Sequence, residues 1–308
     1  MADARPARQH NIVLGAIWMV IAAWSFTAML ICVRYLAGRY PAIEVVFFRA
    51  MVGLLFVLPP LMTHGLPGLG TKVFHLHLTR AVFGLAAMLA YYSAAPYLPL
   101  ADITTYSFAI PLCVTLGAVI VLKEKVDAQR WLATFIGFVG VVIMLRPGFS
   151  GAEHKAGGFM GLSVPEMMAM LSILFYAGAW ISMKFLTRTE EASIIVFYQN
   201  IITVPLVAVP TFIFGSWPSL PDLALLIGVG IFGSLAHFAQ ARSFGAADAS
   251  AVMPYDFLRL PFAVGCAWLL FQELTGIWTW VGASVIFSAT YFITWHETRA
   301  KRRKQAVV

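Results

Sequence analysis

Residues 12–36 read IVLGAIWMVIAAWSFTAMLICVRYL, twenty-five positions in which Arg34 is the only charged side chain. A bilayer core needs about 20 mostly apolar residues to be crossed as a helix. The run is too long for the core of a secretory signal, which spans roughly 7–15 residues, and no small-residue cleavage site follows it. It is therefore read as a retained transmembrane span. Further runs of the same kind follow at 42–62, 78–98, 103–122, 131–145, 165–186, 194–214, 223–244, 249–271 and 277–295. The fifth run is short and begins nearer Ala128, and the third/fourth and eighth/ninth pairs are joined by very tight turns. None alternates with period 2, which excludes a β-barrel, and in lipid every backbone polar group needs an internal partner. The expected fold is all-α, with ten transmembrane helices.

Composition agrees. Of the 308 residues, 60% are hydrophobic and 11% charged, whereas soluble domains carry roughly 25% charged residues. So little charge cannot solvate a water-facing shell. The net charge of +7 is not gathered on one face, as nucleic-acid binding requires, but lies in short clusters between apolar runs. Taking the N-terminus as cytoplasmic puts 15 Lys and Arg on inside segments and 4 outside, the bias expected of a membrane topology. Arg80 is counted among the inside loops, and Arg49 and Arg259 lie within spans. Both termini are then cytoplasmic. Cys32, Cys113 and Cys266 fall inside apolar runs and suggest neither a disulfide framework nor a zinc site.

The halves repeat at an offset near 150. Arg34-Tyr-Leu36 matches Lys184-Phe-Leu186; Phe47 and Pro60 match Phe197 and Pro210; Phe83-Gly84 matches Phe232-Gly233; Glu124 and Trp131 match Glu273 and Trp280. Five spans per repeat is an odd number, so the second unit enters the membrane from the opposite side. Inverted repeats are the architecture by which secondary carriers expose one site alternately to each face. The units are placed at 11–146 and 163–296. Ser163-Val-Pro-Glu166 opens the second as a capping box, which makes Glu166 a structural residue. The pattern Pro111…Leu122-Lys-Glu124-Lys-Val126…Trp131…Gly137…Gly140, echoed as Pro261…Phe271-Gln-Glu273-Leu274…Trp280-Val-Gly282, resembles the repeated module of EamA-type carriers in the drug/metabolite transporter superfamily. The resemblance implies a central cavity lined by spans 1–4 and 6–9, with spans 5 and 10 peripheral. It also implies a bacterial cytoplasmic membrane and metabolite or drug-like substrates. Glu124 and Glu273 are markers of that module, suited to fixing tight turns.

Charges inside a span cost roughly 2.5–3.5 kcal/mol on insertion scales and therefore face a cavity or a partner. Arg49 stands well inside span 2. Glu44 is about 140° around the same helix and a poor partner for it. Arg49 is either paired with another span's acid or a helix-end carbonyl, or is a cavity cation for an anionic group. Asp256 and Arg259, three residues apart on one helix face, are either a self-neutralised pair or a clamp for a zwitterion, with Asp256 able to exchange a proton. His237 and Gln240 share a face of span 8; Gln199, beside Asn200, occupies the repeat position of Arg49. Trp24, Tyr91, Tyr92, Tyr106, Tyr176, Trp180 and Tyr255 offer rings for a planar substrate or for packing. Pro111, Pro254 and Pro261 are packing kinks or hinges.

Two motifs are set aside. Gly228-Val-Gly230-Ile-Phe-Gly233 spells a dinucleotide fingerprint but has no strand before it. His64, His75 and His77 have no acid or cysteine beside them and are read as a solvated loop. Ala86, Ala90 and Ala94 form a small-residue face in span 3. The expected function is secondary active transport of a small solute by alternating access, coupled to protons or to exchange. No cofactor, metal or nucleic acid is expected; the partners are substrate and bilayer, with a homodimer through peripheral helices left open. A membrane enzyme lacks a nucleophile–base set, and a receptor lacks a soluble domain. Amino acids, nucleoside-like metabolites and flavin-like vitamins all suit such a cavity.

Overall fold

The computed structural model describes residues 11–62, 70–98, 103, 106–107, 109–121, 123, 128–149, 163–272 and a few positions between 277 and 288. Among these there is no strand. The helices are α1 (Ile12–Leu36), α2 (Ala42–Met62), α3 (Phe74–Ala94), α4 (Ala109–Ile120), α5 (Ala128–Phe149), α6 (Val164–Leu186), α7 (Ala192–Phe214), α8 (Leu220–Ala246), α9 (Ala249–Val252) and α10 (Arg259–Phe271). A 3₁₀ segment, Met253–Leu258, joins the last two. Among the described residues five helices, α1, α2, α6, α7 and α8, are long and apolar enough to cross a membrane. Most of run 277–295, the glycine-rich stretch 150–162 between the units, His64, Glu124, Glu273 and Trp280 lie outside the described residues.

Helix ends follow local chemistry. Asn11 caps α1 by accepting from Leu14 N (3.1 Å). At α6, Ser163 N donates to the Glu166 carboxylate (2.7 Å), with Pro165 in the first turn, so Glu166 fills the capping role expected of it. The turns after α1 and α6 are alike: Arg39 N donates to Leu36 O (3.0 Å) and Thr189 N to Leu186 O (3.1 Å).

The packing is paired. α1 packs most extensively on α8, α3 on α6, and α2 on both α7 and α8. With apolar lipid outside, such contacts depend on close approach of small residues. The α3 face differs from the one expected. Ala81, Ala87 and Ala94 are fully buried, while Ala86 and Ala90 are only partly buried. Helix α3 also starts earlier than the apolar run, because hydropathy discounts Phe74–Arg80 for its two histidines and arginine. Arg80, assigned to an inside loop, is therefore buried in the helix, and the inside excess of basic residues survives its removal. His75 and His77 are likewise helical rather than in a loop, and His77 is buried against the Tyr198 ring at 4.3 Å. On α8, the rejected fingerprint glycines let α2 approach: a Cβ at Gly230 would stand 3.3 Å from Arg49 O.

The ninth run is broken where prolines predict it. Pro254 lies in the buried 3₁₀ segment and Pro261 in the first turn of α10, where a missing N–H costs no intrahelical bond. Pro111 falls in the first turn of α4.

Candidate functional site

The break in the ninth run positions Asp256 and Arg259. Asp256 lies in the 3₁₀ segment, three residues before the first residue of α10, on the side where a carboxylate is favoured by the helix dipole. It is fully buried, and Arg259 Nη2 donates to its Oδ1 at 2.6 Å. Arg259 is thereby turned toward α1 and α6. Its guanidinium carbon lies 4.6 Å from the centre of the Phe26 ring and 5.9 Å from that of Trp180, distances at which a cation is attracted to an aromatic face. Thr27 steadies the same backbone, its hydroxyl lying 3.4 Å from Arg259 O.

These groups border a narrow, partly open cavity lined by Phe26, Met29, Leu30, Tyr91, Ser107, Ile110, Tyr176, Trp180 and Arg259. The lining comes from α1, α3, α4, α6 and α10, together with Ser107 just before α4. A mostly apolar wall with a few polar groups is the usual pattern of small-molecule sites. The walls are aromatic and mutually braced. Phe26 and Trp180 are stacked with centres 6.3 Å apart, Tyr91 meets Tyr176 edge-on at 6.0 Å, and Tyr91 and Ser107 share a hydrogen bond of 3.3 Å. A planar ring can lie against such walls while Arg259 meets a polar or anionic edge.

The second polar group lies between α2, α3, α7 and α8. Arg49 is 1% exposed, and neither its Nε nor its Nη1 has a hydrogen-bond partner. It is accommodated by Gly233 of α8: a Cβ there would stand 2.7 Å from Arg49 Nε and 3.0 Å from Met29 Sδ. Met29 is a cavity wall, so Arg49 lies directly behind that wall. Gln199, the repeat partner of Arg49, is accommodated by Gly84, the repeat partner of Gly233; a Cβ there would stand 2.9 Å from Gln199 Nε2. Arg80 Nη1 donates to Gln199 Oε1 at 2.6 Å.

Of the residues singled out in the sequence, Arg259 and Tyr91 line the cavity and Asp256 holds Arg259. Tyr176 and Trp180, named there as candidate rings, also line it. His237 is buried with its ring edge-on to Phe26 at 5.1 Å, one layer back. Gln199 supports Arg80 and lies outside the lining. Gln240 and Tyr255 are buried but do not line the cavity. Trp24 is directed away from it: the ring is 51% exposed and packs edge-on against Phe262. Phe26, two residues on, takes the place on the cavity side, since two residues turn a helix by about 200°. Phe26, Met29 and Leu30 are ordinary residues in an apolar run and gave no signal. Arg80 was missed because counting it as a loop cation explained it fully.

An all-α chain with helices able to cross a bilayer, broken beside a buried ion pair and an aromatic cavity, belongs to the class of multi-pass membrane proteins that handle small solutes. Comparison with known proteins makes the class specific. The EamA-like transporter family matches residues 13–146 and again 164–295, and the chain belongs to that family. It is 29% identical over 294 residues to a riboflavin transporter of Rhizobium johnstonii, covering 94% of each chain. It is 31% identical over 293 residues to an S-adenosylmethionine uptake transporter of Rickettsia bellii, covering 94% of this chain and 97% of the relative. A pseudopaline exporter of Pseudomonas aeruginosa is 26% identical over 283 residues, covering 89% and 94%. One solved crystal structure shares the fold with a TM-score of 0.72 at 16% identity, covering 94% of this chain and 97% of that one. The protein is a transporter of small metabolites in the membrane.

Proposed function

We propose that this chain is a secondary carrier that moves a ring-bearing metabolite by alternating access, with the substrate held in the cavity beside Arg259. The observation that carries the reading is the placement of Arg259, fixed by Asp256 in a broken span and presented to a chamber walled by Phe26, Tyr91, Tyr176 and Trp180. Discontinuous helices at the contact between repeats are where secondary carriers bind substrate. The frame is ten helices in two inverted units, 11–146 and 163–296. The pairing of α1 with α8 and of α3 with α6 supports this, because exchanging the halves turns one contact into the other. The bacterial relatives support the cytoplasmic membrane, and the Lys and Arg distribution supports cytoplasmic termini. Coupling is to protons, through Asp256, or to exchange. Pro111, Pro254 and Pro261 serve as hinges, and the peripheral fifth and tenth helices are the surface through which two copies would pair.

Riboflavin and S-adenosylmethionine, carried by the relatives, are the first substrates to test; both present a planar ring system with polar groups. Purified protein in liposomes is expected to take up at least one down its gradient, and Arg259→Gln and Asp256→Asn to lose that flux while inserting normally. Unchanged flux in both variants would place the substrate elsewhere.

A further inference from the structure

We infer that Arg49 and Arg80 form an anion subsite behind the aromatic cavity, so that the transported class is a ring carrying a carboxylate or phosphate, a class that includes S-adenosylmethionine but not riboflavin. The inference rests on the cavity reading above and adds the substrate's charge. Among the described residues, three arginines are buried to 8% exposure or less: Arg49, Arg80 and Arg259. Asp256 neutralises Arg259. The other buried carboxylates, Glu44 and Asp222, make their hydrogen bonds at helix ends, with Glu44 Oε1 left unpartnered. Glu44 accepts from Ser216 N (3.2 Å), and Asp222 from Arg39 (2.8 Å), Tyr40 (3.0 Å) and Ser219 Oγ (2.7 Å). Arg80 reaches only the neutral amide of Gln199.

Arg49, against Gly233 of α8, and Arg80, on Gln199 of α7, lie where α2, α3, α7 and α8 pack together. Two like charges in a low-dielectric interior repel, and a buried cation without an anion is a costly arrangement. Their unused donors, Arg49 Nε and Nη1 and Arg80 Nε, have no protein partner. A guanidinium presents its donors as a fork that fits carboxylate and phosphate oxygens. The subsite also adjoins the cavity. Arg49 Nε and Met29 Sδ flank the same glycine, Gly233, and Tyr92 donates to that sulfur at 3.3 Å. Met is an unbranched, mobile wall; a rotamer change there would join the subsite to the chamber.

The test uses ligands with one ring and different charge: 4-hydroxyphenylacetate, its neutral alcohol tyrosol, the amine tyramine, and phenyl phosphate. Binding is followed by thermal shift titration of the detergent-purified full chain. The anions are expected to bind at least about tenfold more tightly than tyrosol, a difference of ~1.4 kcal/mol. Arg49→Gln and Arg80→Gln should remove that preference while leaving tyrosol affinity unchanged, and Arg80→Lys should retain most of it. Carboxylate and phosphate arms separate the two anion types. Without ligand, Arg49→Gln should melt no lower than the parent, since a repelling charge is lost; a clear fall in melting temperature would make Arg49 a structural residue and overturn the inference. Equal binding of anion and alcohol would overturn it and leave the cavity intact. Binding of none of the four would overturn the cavity reading and this one with it.

Discussion

Arg49 on α2 and Gln199 on α7 occupy equivalent places in the two halves, each seated against the glycine of a repeated Phe-Gly pair, Gly233 and Gly84 respectively. The backbone frame is the same; the chemistry is not. On the first-half side the buried group is a cation whose Nε and Nη1 lack partners. On the second-half side it is a neutral amide that receives a hydrogen bond from Arg80. A repeated fold therefore supplies equal spaces, and individual substitutions put a cation in one and a hydrogen-bonded amide in the other. The ninth run is broken by a 3₁₀ segment that carries Asp256, and Arg259 opens the helix that follows.

Several substitutions sharpen or break this contrast. The largest effect is expected at the ion pair. Asp256→Asn leaves Arg259 buried without an anion and should lower stability by about 3–5 kcal/mol, the range measured when one partner of a buried pair is removed. The double variant Asp256→Asn with Arg259→Gln should regain much of that stability without regaining transport. Thermal denaturation and proteoliposome flux, measured on the same preparations, check both parts. Next, Gly233→Ala should displace the Arg49 guanidinium and reduce flux severalfold, whereas Gly84→Ala should displace the uncharged end of Gln199 and reduce flux less. Equal losses would mean that the glycines serve only helix packing. Gln199→Leu removes the acceptor from Arg80 and should cost about 1–3 kcal/mol, the cost of an unsatisfied buried donor; urea or thermal unfolding reads it. The smallest effect is expected for Trp24→Ala, because the ring is half-exposed and packs on Phe262 away from the cavity. A large transport defect there would move the substrate path to the other face of α1.

Much of the frame was legible because lipid imposes a strong constraint: long apolar runs must be helices. Glu166 as a cap and the break at Pro254 were legible because capping and proline geometry are local. The site was legible only where it departs from apolar background, as at Asp256 and Arg259. Phe26 and Met29 were not, since nothing but helix rotation separates a cavity wall from a lipid-facing residue such as Trp24. Arg80 and His77 were assigned to the wrong environment for a related reason: hydropathy ends a span at its first polar residues, whereas α3 buries its polar first turns against α7, with His77 on Tyr198 and Arg80 on Gln199.

The most direct test of the proposed frame is the sidedness of its two five-helix units. Lys155→Cys, between them, and Gln305→Cys, after the second, are placed singly in a background lacking Cys32, Cys113 and Cys266. A membrane-impermeant maleimide should label position 155 in intact cells and position 305 only after the membrane is opened. Labelling of both positions from the same side would contradict an inverted pair of units around a shared cavity.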